Sequence, residues 1–222
     1  MTYRCNRNDS GPTVRARWIW QSAVRVGALL TVVCFATTGL IAHAADSPSV
    51  VVQQVVDAVV AVLAGKNLTA DQKRDKIQDV MYAHFDFTTL SRLVLARNWK
   101  QLSAEQQQTF VEEFKRHLSM TYGKIVETYN NERAVVSGDR AETGGDWTVK
   151  TKIVRSGAPE ILVDYRLRQE EGAWKAIDVI IEGVSLVANF RSQFQEIVSN
   201  QGPQKLIDLL REKNAKGESL KS

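Results

Sequence analysis

Apolar residues recur at helical spacing through the first part of the chain and alternate at strand spacing farther on. Residues 49–63 place Val52, Val55, Val56, Val59, Val60 and Leu63 on one side of a helix that Gly65 ends. Thr69 caps a second helix to about Ala83, with Ile77, Val80 and Met81 apolar and Asp71, Lys73, Arg74 and Asp75 on a solvated face. Asp86 caps a short helix holding Phe87, Leu90, Leu93, Val94 and Leu95, which stops at Arg97-Asn98-Trp99. Ser103 and Gln106 form a capping-box pattern opening the longest predicted helix. It reaches about Tyr129 on a stripe of Phe110, Val111, Phe114, Leu118, Tyr122, Ile125 and Val126.

After Asn130-Asn131 the period falls to two. Residues 133–141, 146–155, 160–169 and 173–187 read as four strands, separated by turn chemistry at 143–145, 156–159 and 170–172. In the third, Ile161, Val163, Tyr165 and Leu167 face one way and Asp164, Arg166 and Arg168 the other. Short connections imply antiparallel hairpins, with one apolar and one wetter sheet face. Asn189 offers a cap for a helix carrying Phe190, Phe194 and Ile197. Gly202 breaks that helix, and Pro203 starts a last one with Leu206, Ile207, Leu209 and Leu210. Helices, then a meander, then helices again predict a single α+β domain. Its helices pack on one face of a mainly antiparallel sheet of about four strands.

Charge changes this picture little. Residues 1–44 carry five arginines against Asp9, and the remaining 24 basic residues are balanced by 24 acidic ones. That balance removes the argument for nucleic acid, which needs a basic excess. Residues 1–44 themselves read as an export signal. An arginine-containing start to Arg25 is followed by an uncharged, largely apolar run over 26–42 and an Ala42-His43-Ala44 cleavage pattern. The predicted division is therefore 1–44 signal peptide, 45–215 folded domain and 216–222 flexible tail. Cleavage near Ala44 would deliver the rest to the periplasm, and a retained membrane anchor is the alternative. Both cysteines, Cys5 and Cys34, fall in this first segment, so the exported part needs no disulfide.

Little in the residues points to catalysis. His84-x-Asp86 is an incomplete metal fragment, and no metal is expected. Gly183-Val184-Ser185-Leu186-Val187 resembles half of a nucleophile elbow, but Val187 stands where the second glycine belongs. Asp178 and Glu182 could form a carboxylate pair for an exported hydrolase, or pair with arginines instead. What remains is a set of aromatic and aliphatic side chains whose periodicity reads first as a solid core, as in an interaction protein, and second as the wall of a ligand pocket.

Specific blocks resolve part of this ambiguity. His84-Phe85-Asp86-Phe87, Ser91-Arg92-Leu93-Val94-Leu95, Trp99, Gln106-Gln107, Phe110 and Glu113-Phe114 stand in an order that resembles the toluene-tolerance, or MlaC-type, family of periplasmic proteins. Gly172-Ala173-Trp174-Lys175, Asp178-Val179, Glu182-Gly183-Val184-Ser185-Leu186-Val187 and Asn189-Phe190-Arg191-Ser192-Gln193-Phe194 resemble its most distinctive block. Two positions depart from the pattern: Phe190 replaces a commoner Tyr, and Ala96 a commoner Gly. The resemblance implies a monomeric phospholipid carrier without enzymatic activity or cofactor, the lipid being its cargo. Its partners would be an outer-membrane lipoprotein complex and an inner-membrane ABC transporter with an MCE-domain subunit. It also implies a cavity between helices and sheet. The candidate walls are Phe87, Leu90, Val94, Phe110, Phe114, Leu118, Tyr122, Phe190 and Phe194 on the helices. On the sheet they are Val149, Ile161, Val163, Tyr165, Ile177, Val179 and Ile181, with Val184 at the bend. Any one of these could be core instead.

Overall fold

Local capping signals set most helix starts in the computed structural model, which describes residues 46–124 and 128–220. The expected signal segment lies outside the described residues. Helix α1 (Pro48–Ala64) starts at Ser47, whose hydroxyl accepts from the Val50 N–H, with Pro48 where a missing N–H costs nothing. Helix α2 (Ala70–His84) opens on a reciprocal Thr69–Gln72 box and α4 (Ala104–Tyr122) on a Ser103–Gln106 box. Between them α3 (Phe87–Leu95) is capped by Asp86 through the Thr89 N–H and continues into a 3-10 turn, Ala96–Gln101.

Helix α4 is shorter than the apolar stripe predicts. It ends at Tyr122, with the Gly123 N–H donating to Ser119 O; a Cβ at Gly123 would lie 2.6 Å from that oxygen. Ile125 and Val126, which continue the stripe, lie outside the described residues.

The sheet contains strands β1 (Arg133–Ala141), β2 (Trp147–Arg155), β3 (Ala158–Glu170), β4 (Ala173–Ile181) and β5 (Val184–Ser185), antiparallel in that order. Five strands replace the expected four because the 173–187 run reverses on itself. Glu182 and Gly183 both take positive φ (48° and 80°), making a two-residue turn that pairs Ile181 with Val184 and Ile180 with Ser185. Ser185 then caps α5 (Leu186–Lys216) by accepting from the Ala188 N–H, so the helix starts before the predicted cap Asn189. Gly202 (φ 82°, ψ 165°) kinks α5 ahead of Pro203, as the sequence predicts.

Register puts the inner face in rows. Val149, Tyr165 and Val179 stand opposite one another, as do Thr151, Val163 and Ile181. A bulge in β4 leaves Ile177 between the residues opposite Leu167 and Arg166. Helix α1 lies across β1 and β2, whereas α2, α3 and α5 meet the sheet at β4. The α2–α3 junction is joined to the β4 edge by a parallel bridge from Phe85 to Ala176 and by the Asp86 N–H to Ala176 O, 3.0 Å. The described residues belong to one compact unit. Past the end of α5 the chain stays attached: Leu220 packs on the helical core and its N–H donates to His117 Nε2, 3.3 Å. No helix among the described residues is long and apolar enough to cross a membrane.

Candidate functional site

The candidate wall residues fall into two groups that the fold keeps apart. Phe87, Leu90, Val94, Phe110, Phe114, Leu118, Phe190 and Phe194 join Leu95, Leu102, Leu206, Ile207 and Leu210 in one buried cluster of α3, α4 and α5. Phe114 is its centre, with ring centroids 5.5 Å from Phe110, 5.1 Å from Phe190 and 5.3 Å from Phe194. Phe110 stacks on it and Phe190 and Phe194 meet it edge-to-face, so the ring is packed as a core side chain. Tyr122 is half-buried at the margin of this cluster, where burial pushes its phenol pKa up.

The sheet candidates lie elsewhere. Val149 and Leu167 form a second cluster with Val52 and Val56 of α1, and Ala134, Val136, Trp147, Tyr165 and Trp174 pack around it. Val163, Ile177 and Val179 are buried as well, whereas Ile161, Tyr165 and Ile181 remain half-buried and Val184 is 58% exposed. Strand β3 runs between the line where α1 approaches the sheet and the line where α2, α3 and α5 do. Tyr165 sits on that strand. Burial pushes its phenol up to about 12, yet part of its surface stays accessible. Its ring packs beside the Val149–Leu167 cluster at a strand that no helix among the described residues crosses directly.

Periodicity predicts this covering helix and places Val52, Val56 and Leu63 on its inward side, but it does not show that the helix lies on β1 and β2. Polar ties hold α1 to the sheet edge: Gln53 Oε1 accepts from the Val136 N–H at 3.2 Å, and the Ser49 hydroxyl donates to Asp139.

The groups weighed for catalysis are engaged in building the β4–α5 corner. Asp178, 6% exposed, accepts from the Val179 N–H (2.8 Å), the Val187 N–H (3.0 Å) and the Ser185 hydroxyl (2.6 Å). Ser185 is thereby committed as donor to a carboxylate and as acceptor to the Ala188 N–H. Glu182 takes the Leu162 N–H and gives its own N–H to Leu162 O. The two chain histidines nearest in interest are elsewhere. His117 is fully buried, with Nδ1 3.0 Å from Asn214 Oδ1; Nε2 accepts from Leu220, so Nδ1 carries the proton. Burial lowers its pKa, against a smaller upward effect from Asn214. Burial and then Lys175 lower that of His84, beside Asp86 in its capping role.

Two clefts open on the helical side. One, about 450 Å³, is lined by Ser103, Glu105, Gln106 and Thr109 of the α4 start with Gln204, Ile207 and Arg211 of α5. The other, about 370 Å³, separates α2 from the end of α4 and is lined by Asp71, Arg74, Asp75, Ile77, Gln78, Met81, Arg116, Ser119, Met120 and Gly123.

Comparison with known proteins matches residues 53–212 to the family described as MlaC protein. The toluene tolerance protein ttg2D of Pseudomonas putida is 28% identical over 129 residues, spanning 58% of this chain and 60% of that protein. The intermembrane phospholipid transport system binding protein MlaC of Haemophilus influenzae is 22% identical over 191 residues, or 80% and 88% of the two chains. A phospholipid-binding protein from Ralstonia solanacearum, solved in complex with a phospholipid, superposes with a TM-score of 0.70 at 25% identity. That alignment covers 78% of this chain and 99% of the other.

Proposed function

The chain belongs to the MlaC protein family, and on that footing we propose that it is a periplasmic phospholipid carrier. The acyl chains lie along the inner face of β3 and its neighbours, beneath α1, and the head group stays at the surface. Lipid passes between an outer-membrane lipoprotein complex and an inner-membrane ABC transporter with an MCE-domain subunit. The observation that carries this reading is the row Val149–Tyr165–Val179, apolar across three strands and incompletely covered at Tyr165.

The physical need is large. Two chains of about 16 carbons cost roughly 25 kcal/mol to expose to water, at about 0.8 kcal/mol per methylene. A carrier offering an apolar face replaces the bilayer at nearly equal free energy, so loading and release need little drive of their own. Space for a whole lipid arises when α1 moves off the sheet. It is held there by Val52 and Val56 and by the Gln53 and Ser49 hydrogen bonds to β1. Charge on this face is costly. The chemistry is binding and release, with Asp178, Glu182 and Ser185 engaged by the backbone of the β4–α5 corner.

Tyr165→Asp tests the site. A carboxylate in the middle of the face should abolish lipid uptake from vesicles, while far-UV circular dichroism and the unfolding transition persist. A folded Tyr165→Asp protein that loads as wild type would refute it.

A further inference from the structure

Helix α1 is fixed to the molecule differently from the other helices. Helices α3, α4 and α5 are cross-tied in a closed layer. The Arg191 guanidinium donates twice to Leu93 O (2.9 and 2.7 Å), the Asn214 amide donates to Glu113, and the rings of Phe114 and Phe194 meet at 5.3 Å. Helix α1 instead spans from the β1 edge to α2, with a different fastening at each end. At its C-terminal end Lys73 Nζ of α2 donates to Leu63 O at 2.5 Å, and the short turn over 65–69 carries the chain into α2. At its N-terminal end the Ser49 hydroxyl donates to Asp139, and Gln53 Oε1 accepts from the Val136 N–H at 3.2 Å. Both N-terminal bonds use side chains near water, which can replace either partner at little net cost.

Between these ends Val52 and Val56 close on Val149 and Leu167. Val55, Val59 and Val60 beside them are half-buried, and Asp57 is the one charge in the helix. The apolar arc is therefore wider than the pair resting on the sheet, so the helix can turn and still keep acyl chains from water. Under it the Trp147 indole N–H is buried without a hydrogen-bond partner, although its ring packs against this same cluster. A donor left unpaired in the closed position favours opening.

Resting on the carrier reading, we propose that α1 is a hinged lid over the lipid site. It pivots at the 65–69 turn, where Lys73 keeps its C-terminal end on α2, and Ser49 and Gln53 latch its N-terminal end to β1. Release of the latch lifts Val52 and Val56 from β2 and β3 and exposes the row Val149–Tyr165–Val179 to an incoming diacyl phospholipid. The layer of α3, α4 and α5 stays in place. Loading and release therefore share one gate.

Two crosslinked forms test this in protein with Cys5 and Cys34 replaced by Ser. Ser49→Cys/Asp139→Cys joins the latch partners by a disulfide, and Gln106→Cys/Gln204→Cys joins α4 to α5 where those amides already bond at 2.9 Å. Each is mixed, oxidised and reduced, with donor vesicles of phosphatidylethanolamine and phosphatidylglycerol. The crosslink is confirmed by mass, and bound lipid is counted by native mass spectrometry. The oxidised latch pair is expected to load severalfold more slowly than its reduced form, and the α4–α5 pair to load equally in both. Gln53→Ala/Asp139→Ala removes both latch bonds without a crosslink. It is expected to speed amide hydrogen exchange in α1 and lipid release to acceptor vesicles severalfold, with exchange in α4 unchanged. Equal loading by the oxidised and reduced latch pair, or wild-type exchange and release in Gln53→Ala/Asp139→Ala, would overturn the lid while lipid binding stands. Failure of the unmodified protein to take up any lipid would overturn the carrier reading and the lid with it.

Discussion

Phe114→Ala separates core from cavity wall. The ring is fully buried and meets Phe110, Phe190 and Phe194 at centroid distances of 5.1–5.5 Å. Removing a buried phenylalanine ring costs about 3–5 kcal/mol in lost transfer and residual cavity. Each aromatic pair adds about 0.5–1.5 kcal/mol beyond area, which places Phe114 toward the upper end, about 4 kcal/mol. With a urea m-value of about 2 kcal/mol/M, the unfolding midpoint should fall by about 2 M. Tyr165→Ala, on the incompletely covered face, should shift the midpoint much less but lower the lipid retained after gel filtration. The reasoning is refuted by the opposite pairing: a Phe114→Ala midpoint within about 0.3 M of wild type with lipid lost, and a Tyr165→Ala protein that unfolds early yet retains lipid.

Two further outcomes follow from particular residues. Ala96 holds φ 48° and ψ −123°, a region that glycine alone enters freely, so Ala96→Gly should stabilise by about 1 kcal/mol in urea unfolding; a loss of stability would contradict the strain. Burial holds the His117 pKa below the ordinary histidine value of about 6.5, so below that pH the unfolded chain binds a proton that the folded chain resists. Stability is therefore full above 6.5 and declines as pH falls toward the folded value, with His84 adding in the same direction. An NMR titration placing the His117 ring at or above 6.5 would reverse that sign.

Much of the fold is local in origin and therefore legible. The Thr69–Gln72 and Ser103–Gln106 boxes, the Asp86 cap and the Gly202-Pro203 break sit where their residue types demand. The glycine-rich turns set the hairpins, and alternation in β3 gives the correct inner face. The β4–α5 corner was harder to read, because Glu182 takes a positive φ that no turn rule assigns to glutamate, and its reversal hands the cap to Ser185. The division of the apolar residues between two clusters was not legible either. Periodicity says that Phe114 and Tyr165 each face inward, but the layer each enters depends on packing between elements far apart in sequence. The family resemblance names a helix–sheet cavity, and in the structure the aromatic stripe of α4 packs on the rings of α5. At Ala96, by contrast, the departure from the family pattern marks a backbone position where glycine would be unstrained.

The central claim is that this protein carries phospholipid. Native mass spectrometry of the protein purified from periplasm without detergent tests it directly. The account predicts discrete mass additions of intact diacyl phospholipid that transfer to acceptor vesicles. A protein recovered lipid-free that also takes up none from donor vesicles would contradict it.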